Sequence, residues 1–276
     1  MTQLKFQYHE QPGFTKVVSP ENSVLDYVSL GILRQNTGDV AYHGNSGKEE
    51  VGLVILSGSA SIRVGNCIWE HLGKRTSVYA GAATTIYVPP DTPYQIAAID
   101  GPLELAITGA RSERPGTPTL ITPSQVWKHP RGVGNWERQI SDLITHVNPI
   151  SERLYLIEVI TPPGNWSSVP PHKHDTDRPQ VESQTEEIYY FKIDPPQGFG
   201  FQRIYTDDRQ LDEAIVVENN TATIQPRGYH PVANHPGYQM YYLNVLAGEK
   251  RGMIQFDDPA HAWVKTLEPK FNTERA

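Results

Sequence analysis

The stretch PPHKHDTDRPQVESQTEEIYYFKI, residues 170–193, joins a His-x-His pair to a run of alternating residues. Successive side chains of an extended strand point to opposite faces, so His172 and His174 face the same way and can bind one ion. A His-x-His pair alone is more often two exposed histidines in a loop than a metal site. The pair therefore needs further ligands nearby.

The run EEIYYFKI separates its two glutamates by the same alternation. Glu187 shares the more apolar face with Tyr189, whereas Glu186 shares the other face with Lys192. We therefore expect Glu187 to point to the protein interior, together with the two histidines. Glu186 is expected to point to solvent or to a subunit contact.

A third imidazole comes from PRGYH, residues 226–230, where a Pro-x-Gly turn precedes His230 and fixes the side chain that follows. The predicted ligands of a divalent transition metal are His172, His174, Glu187 and His230. Three imidazoles and one carboxylate leave coordination positions open for a substrate. Zn²⁺ and Mn²⁺ are the favoured ions, with Fe²⁺, Co²⁺ and Ni²⁺ as alternatives.

The remainder of the chain predicts an all-β fold. Its 22 glycines and 23 prolines cut it into short apolar or alternating runs, which is typical of antiparallel β-proteins. Residues 51–64 predict two strands around a turn at Ser57 and Gly58, and residues 84–98 predict a strand, a proline-bearing turn and a second strand. Helical periodicity is confined to residues 136–144, which predict one short helix.

A domain boundary is expected in RSERPGTPTLITP, residues 111–123, because proline, glycine and threonine are typical of a linker. The order of strands and turns recurs on both sides of this segment, as an internal duplication of a small barrel predicts. Residues 1–115 and 116–276 are therefore the predicted domains. His43 and His71 have no His-x-His partner, so no metal is expected in the first domain.

Composition excludes several classes of function. A formal net charge of −7 lacks the basic surface that nucleic acids require. No apolar run approaches the roughly 20 residues that span a bilayer, and the start of the chain has no export-signal pattern. The one cysteine, Cys67, cannot form a disulfide within the chain. We therefore expect a cytoplasmic protein that binds neither nucleic acids nor membranes.

Five segments resemble a known family. The order of the predicted ligands is similar to that of the cupins, which are small antiparallel β-barrels. The segments PPGNWSSVPPHKHD, EEIYYFKIDPPQGFGFQRIYTDD, PRGYHPV, YYLNVLAG and DDPAHAWV resemble more specifically the 5-deoxy-glucuronate isomerases of myo-inositol catabolism. In these enzymes and the related 4-deoxy-5-keto-uronate isomerases, two cupin barrels occur and one carries the metal. The resemblance implies a bicupin with a structural barrel in residues 1–115 and a metal-containing active site in residues 116–276.

The segment between His174 and Glu186 departs from the general cupin pattern because it is longer than usual. This length leaves Glu182 as a rival to Glu187 for the metal. The segment, residues 175–185, is polar and contains a proline. It is either a solvated loop or a lid over the metal.

The resemblance implies conversion of 5-deoxy-glucuronate, an aldehyde acid, to its ketone isomer 5-keto-2-deoxy-gluconate. Moving the carbonyl from C1 to C2 requires removal of a proton from C2, and a divalent cation can hold the negative charge that develops on oxygen. A base must also carry the proton between the two carbons. The candidate bases are Glu182, Glu187 and Tyr229.

The substrate carboxylate needs a local cation because the protein is anionic overall. Arg203 and Arg227 are the candidates, since a planar guanidinium matches a carboxylate, and Tyr242 is a candidate for contact with a substrate hydroxyl. Two other classes of function remain open, a metal-dependent dioxygenase and a sugar-binding protein without catalysis. Open β-edges favour a homo-oligomer.

Overall fold

The computed structural model describes residues 2–267, so Met1 and residues 268–276, the outer ends of the two predicted domains, lie outside the described residues. Strands and loops make up nearly all of the described chain, which confirms the all-β class. Within residues 2–267, no helix has the length and hydropathy that crossing a membrane requires.

The strands of the first half are, in chain order, β1 (Lys5–Gln7), β2 (Gly13–Val18), β3 (Val28–Gln35), β4 (Tyr42–Asn45), β5 (Glu49–Val64), β6 (Cys67–Gly73), β7 (Thr85–Val88), β8 (Pro93–Arg111) and β9 (Thr119–Ile121). The strands of the second half are β10 (Trp127–Arg131), β11 (Arg138–Ile144), β12 (Tyr155–Thr161), β13 (Trp166–Ser167), β14 (His172–Lys173), β15 (Glu186–Asp194), β16 (Phe199–Tyr205), β17 (Asp212–Glu218), β18 (Thr221–Gln225), β19 (Val232–Asn234), β20 (Gln239–Ala247) and β21 (Phe256–Asp257). Two 3-10 helices are η1 (Gly134–Trp136) and η2 (Ala262–Leu267).

Antiparallel pairing joins these strands into open sheets. An eight-stranded sheet has the order β2-β3-β8-β5-β7-β9, with β4 beside β8 and β6 beside β5. A seven-stranded sheet has the order β1-β18-β15-β20-β12-β11-β10, and it is accompanied by β13-β19-β16-β17 and by the pair β14-β21. The edge strand β1 of the first half crosses to the seven-stranded sheet, where it pairs with β18. The edge strand β9 pairs with β7 in the eight-stranded sheet.

The helix predicted for residues 136–144 is wrong. Residues 138–144 form β11, which pairs with β10 and β12. The register with β12 shifts between Asp142 and Ile144, and such a bulge interrupts the period of two. Ile140, Leu143 and Ile144 therefore have the sequence spacing of one helix face, although they lie in a strand that a bulge interrupts.

The turn predicted at Ser57 and Gly58 is also wrong, because β5 runs through it. The strand instead has irregular register at Ser57, and Gly58 has a φ of +89°. A Cβ at Gly58 would lie 2.1 Å from the carbonyl oxygen of Pro102, so only glycine fits there. The strand, turn and strand predicted for residues 84–98 are confirmed by β7 and β8.

One face of the seven-stranded sheet packs against the first half of the chain. The Arg75 guanidinium of the first half lies 2.7 Å from a Glu158 oxygen on β12, and both side chains are buried. Lys192 on β15 forms an ion pair with Glu104. One hydrophobic cluster has members from both sheets, and a second cluster lies within the first half.

Glu186 lies on this interface, so the prediction that it faces solvent or a subunit contact is wrong. Its side chain is buried, and its carboxylate accepts hydrogen bonds from the backbone amides of Asp26 at 2.7 Å and Tyr27 at 2.9 Å. The alternation of β15 separates the two glutamates as predicted. The surface that covers Glu186 belongs to the same chain.

Candidate metal centre and active site

The three predicted histidine ligands converge beside β15 of the seven-stranded sheet, although none of them belongs to that sheet. The rings of His172 and His174 lie with their centroids 4.9 and 5.1 Å from the ring of His230. All three imidazoles are buried. The strand pair β14-β21 and the turn before His230 thus bring three histidines together from two distant segments.

The Glu187 carboxylate completes this cluster. One of its oxygens lies 3.1 Å from Nε2 of His174 and 3.3 Å from Nε2 of His230. Donor atoms of His174, Glu187 and His230 all lie within 4.8 Å of one another. His172 stands beside this triad through its ring contact with His230. We refer to His172, His174, Glu187 and His230 as the histidine-glutamate cluster.

Backbone carbonyl groups fix the orientation of two imidazoles. Nδ1 of His174 lies 2.7 Å from the Thr185 oxygen, and Nδ1 of His230 lies 2.8 Å from the Gly228 oxygen. A carbonyl oxygen only accepts hydrogen bonds, so both Nδ1 atoms carry the proton. Each Nε2 therefore faces Glu187 with a lone pair when its ring is neutral, which is the arrangement of metal-binding histidines.

Charge within the cluster is coupled. Burial alone would raise the pKa of Glu187, but the His174 and His230 imidazoles outweigh it and hold that pKa below its usual value. Burial alone would lower the pKa of His174, but the hydrogen bond and charge of Glu187 raise it. Burial and the neighbouring imidazoles lower the pKa of His172 well below its usual value. Glu187 is thus ionised and His172 neutral, the forms that bind metals.

The cluster fits a divalent transition metal. Nε2 of His230 is buried and forms no hydrogen bond within the described part of the chain, although a Glu187 oxygen lies 3.3 Å away. A lone pair that faces a carboxylate is repelled unless a proton or a cation lies between them. Imidazole and carboxylate donors match the preferences of Zn²⁺, Mn²⁺ and related ions.

A cavity of about 820 Å³ opens beside the cluster. His172 lies on its wall, and the sheet contributes Tyr189, Tyr242 and Asn244. The rings of Tyr189 and Tyr242 stack with centroids 4.6 Å apart, and the Tyr242 hydroxyl forms a hydrogen bond with Ser167. This volume lies within the range of about 300–1,000 Å³ that is usual for small-molecule sites.

Two of the candidate bases lie apart from this cavity. Glu182 accepts hydrogen bonds from the Asp175 amide at 2.6 Å and from Nε of Arg178 at 3.1 Å, so it fixes the fold of its own segment. The Tyr229 hydroxyl donates to Asp207 at 2.9 Å. Neither residue is among the described residues that line the cavity. Glu187 is the candidate base that the structure brings into the cluster.

Residues 175–185 are tied to the metal centre at several points. The Asp175 carboxylate accepts a hydrogen bond of 2.7 Å from the amide of Gly228, in the turn before His230. Burial alone would raise the pKa of Glu182, but the Asp175 amide and the Arg178 side chain outweigh it and lower that pKa. The ionised Glu182 therefore holds this segment in place next to His174.

The two arginines expected to bind a carboxylate also lie outside the cavity. Arg203 is exposed and donates from Nε to Asp212 at 2.7 Å. It lines a separate, smaller hollow of about 400 Å³ with Tyr205. Arg227 is exposed beside the turn that precedes His230. Neither guanidinium lies on the wall of the cavity that His172 lines.

The polar side chains of the cavity wall that sequence reasoning missed include Arg138 on β11 and Asn244 on β20. Both are buried. Asn244 pairs in register with Tyr189 on one side and Ile157 on the other. No motif marks these residues, because they join the site only through the order of strands in the sheet.

Comparison with solved structures agrees with this architecture. The oxalate decarboxylase of Lactobacillus farciminis is 12% identical and has a TM-score of 0.69, with 98% of this chain and 91% of that chain covered. A likeness at this identity concerns the fold alone. The protein has a cupin-like, all-β fold.

The sequence and a second structure define the family. Residues 3–264 match the KduI/IolB family. The 5-deoxy-glucuronate isomerase of Geobacillus thermodenitrificans is 41% identical over 248 residues, which are 90% of this chain and 89% of the relative. That of Bacillus subtilis strain 168 is 37% identical over 264 residues, or 94% and 97%. The crystal structure of an IolB-like protein from Salmonella typhimurium LT2 has a TM-score of 0.91 and 34% identity, with 95% and 99% covered.

The chain therefore belongs to the KduI/IolB family, and the resemblance found in its sequence is confirmed. It is an isomerase, in the class of intramolecular oxidoreductases.

Proposed function

We propose that the protein converts 5-deoxy-glucuronate to 5-keto-2-deoxy-gluconate in myo-inositol catabolism and that a divalent metal is required. The names of the relatives support the reaction. The observation that carries the metal requirement is the buried Nε2 of His230, which faces the Glu187 carboxylate without a hydrogen bond. One member of this donor set, His172, lines a cavity large enough for a six-carbon acid.

His172, His174, Glu187 and His230 would hold the metal. When bound, Zn²⁺, Mn²⁺ or a related ion supplies a Lewis acid that stabilises negative charge on the substrate oxygens. The carbonyl groups of Thr185 and Gly228 support the ligands, because they keep Nδ1 protonated and Nε2 aimed at Glu187.

The remaining groups act on protons and substrate hydroxyls. Glu187 is the proposed carrier of the proton from C2 to C1, since it is ionised and lies at the cluster. Burial raises the pKa of Tyr189 and Tyr242, so both phenols stay protonated and can donate hydrogen bonds to substrate oxygens. The buried Oδ1 of Asn244 lacks a hydrogen-bond partner among the described residues, so it can accept one from a substrate hydroxyl.

The proposal extends to the organisation of the chain. Each half would be a cupin barrel, with residues 1–115 structural and residues 116–276 catalytic, and the sequence likeness between the halves and the position of the cluster support this division. Exposed edge strands such as β17 support a homo-oligomer. The single cysteine, Cys67, is consistent with a reducing compartment such as the cytoplasm.

Isomerisation in heavy water tests the proposed reaction. Metal-loaded protein is given 5-deoxy-glucuronate in D₂O, and the product is followed by NMR. We expect the ketone acid with deuterium at C1, because a side-chain base exchanges its proton with solvent. Glu187→Gln should abolish the conversion, and Tyr229→Phe is the matched control that should keep it. A product without deuterium would favour hydride transfer or a shielded base, and conversion that depends on oxygen would refute the isomerase.

A further inference from the structure

The placement of Arg138 follows from the alternation of β11. Arg138, Ile140 and Asp142 share the face of this strand that lines the cavity. Arg138 is only 7% exposed. His172 of the histidine-glutamate cluster lines the same cavity, so a molecule bound there can reach both residues.

The chain segment before β11 holds the Arg138 guanidinium in position. Its Nη1 donates a hydrogen bond of 3.2 Å to the backbone oxygen of Trp136. A Cβ at Gly132 would lie 2.8 Å from the same nitrogen, and Gly132 has a φ of +74°. The backbone of residues 132–136 thus approaches the guanidinium closely. An ordered guanidinium loses less conformational entropy when it binds a ligand.

Arg138 shares the cavity wall with further side chains of the site. Tyr189 and Tyr242 line the same cavity as Arg138 and His172. An anion bound in this cavity therefore lies between the guanidinium and groups that can bind the rest of the same molecule.

The other cations near the cavity are less suitable. Arg131 and Lys265 also line it, but both are exposed to solvent. Ion pairs at exposed positions contribute little, because water and salt screen them. Arg203 and Arg227 lie outside the cavity wall.

We propose that Arg138 binds the carboxylate of the substrate within the cavity that His172 also lines, which selects hydroxy-acid anions over neutral sugars. This inference rests on the proposed function, since that function defines which end of the substrate reacts. A planar guanidinium with a bidentate fork fits a carboxylate. A local cation is also needed in a protein whose formal net charge is −7.

Substrate discrimination tests the inference. The metal-loaded wild type, Arg138→Met and Arg138→Lys are compared on 5-deoxy-glucuronate and on 5-deoxy-glucose, which carries an alcohol in place of the carboxylate. For Arg138→Met we expect KM for the acid to rise about 10- to 150-fold, the equivalent of roughly 1.5–3 kcal/mol for a hydrogen bond to a charged group at 1.36 kcal/mol per factor of ten. Turnover of 5-deoxy-glucose should not fall, so the preference for the acid should collapse.

Matched variants separate this role from a structural one. Metal content should stay near that of the wild type in Arg138→Met, even where thermal stability falls because the buried side chain is lost. If that variant does not fold, Arg138→Lys decides, because it keeps the charge without the fork and should show a smaller loss on the acid alone. Arg203→Met and Arg227→Met should keep the full preference for the acid. Preserved discrimination in the Arg138 variants, or its loss in either of the other two, would overturn the inference.

A binding measurement keeps the two proposals distinguishable. The C1-reduced form of 5-deoxy-glucuronate has no carbonyl to isomerise, and its binding is measured by calorimetry. If the wild type fails to convert the aldehyde acid but binds the reduced acid, and Arg138→Met does not bind it, the reaction is wrong and the inference stands. Equal binding by the two proteins, or no binding by the wild type, would overturn the inference.

Discussion

The two adjacent glutamates of β15 should give different phenotypes when each is changed to glutamine. Glu187→Gln removes the charge that faces His174 and His230, so we expect loss of metal and of activity. Glu186→Gln alters a buried carboxylate on the opposite face, where it accepts hydrogen bonds from two backbone amides of the first half. We expect that change to lower stability and to leave metal binding intact.

The expected magnitudes follow from these contacts. A hydrogen bond to a charged group contributes about 1.5–3 kcal/mol, and the glutamine at position 186 keeps one oxygen acceptor but turns an NH₂ group towards the second amide. Burial raises the pKa of Glu186 despite both amides, so removal of its charge returns part of the loss. We expect the free energy of unfolding to fall by about 1–3 kcal/mol, which lowers Tm by about 2–12 °C in a large domain.

The loss at Glu187 should appear in metal affinity instead. Removal of a group that only supports a metal ligand costs about 10- to 100-fold in affinity, so removal of a direct ligand should cost at least about 100-fold. Thermal unfolding of the metal-stripped proteins measures the first effect, and metal content after reloading measures the second. Metal loss in Glu186→Gln with full retention in Glu187→Gln would refute the assignment of the strand faces.

Three further outcomes are expected. Glu187 raises the pKa of His174 in the metal-free protein, so a proton competes with the metal until the pH exceeds that raised pKa. As the pH is lowered at limiting metal, the metal content should therefore begin to decline above pH 6.5. Retention of the metal down to about pH 4 would argue against histidine ligation. Tyr229→Phe should keep kcat within a few-fold of the wild type, and a loss of 100-fold or more would return Tyr229 to the candidate bases. Arg75→Met should destabilise the protein by about 3–5 kcal/mol, because it leaves the Glu158 carboxylate buried without its guanidinium. Chemical denaturation measures this change in the free energy of unfolding. A loss below about 1 kcal/mol would show that the ion pair contributes little.

Local pattern was sufficient to predict the cluster. The alternation of β15 places Glu187 on the inner face, and the His-x-His spacing puts His172 and His174 beside His230. These predictions depend on side-chain direction within one strand, which a period of two determines. The all-β class follows from the same kind of short-range signal.

Residues that join through sheet order could not be predicted in this way. Arg138 reaches the cavity because β11 lies beyond β12 and β20 from the strand that carries Glu187. Arg203 and Arg227 are closer to His230 in sequence, but both point to solvent. Proximity along the chain is therefore a poor guide to which cation faces the site.

The environment of Glu186 was missed for a related reason. Alternation shows that this side chain leaves the inner face, but the partner that covers the outer face comes from residues 26 and 27 of the first half. The apparent helix in residues 136–144 arises from the bulge near Asp142. Both errors concern contacts with distant parts of the chain, which the pattern of one short segment does not reveal.

Restoration of activity with metal is the most direct test of the central claim, that His172, His174, Glu187 and His230 bind a metal on which isomerisation depends. The protein is stripped with a chelator, reloaded with increasing Mn²⁺ or Zn²⁺, and assayed by NMR on 5-deoxy-glucuronate while bound metal is measured on the same samples. We expect the stripped protein to be folded and inactive, and activity to return in proportion to bound metal. The His230→Ala variant should bind little metal and stay inactive. Full activity in the stripped protein, or in His230→Ala, would contradict the account.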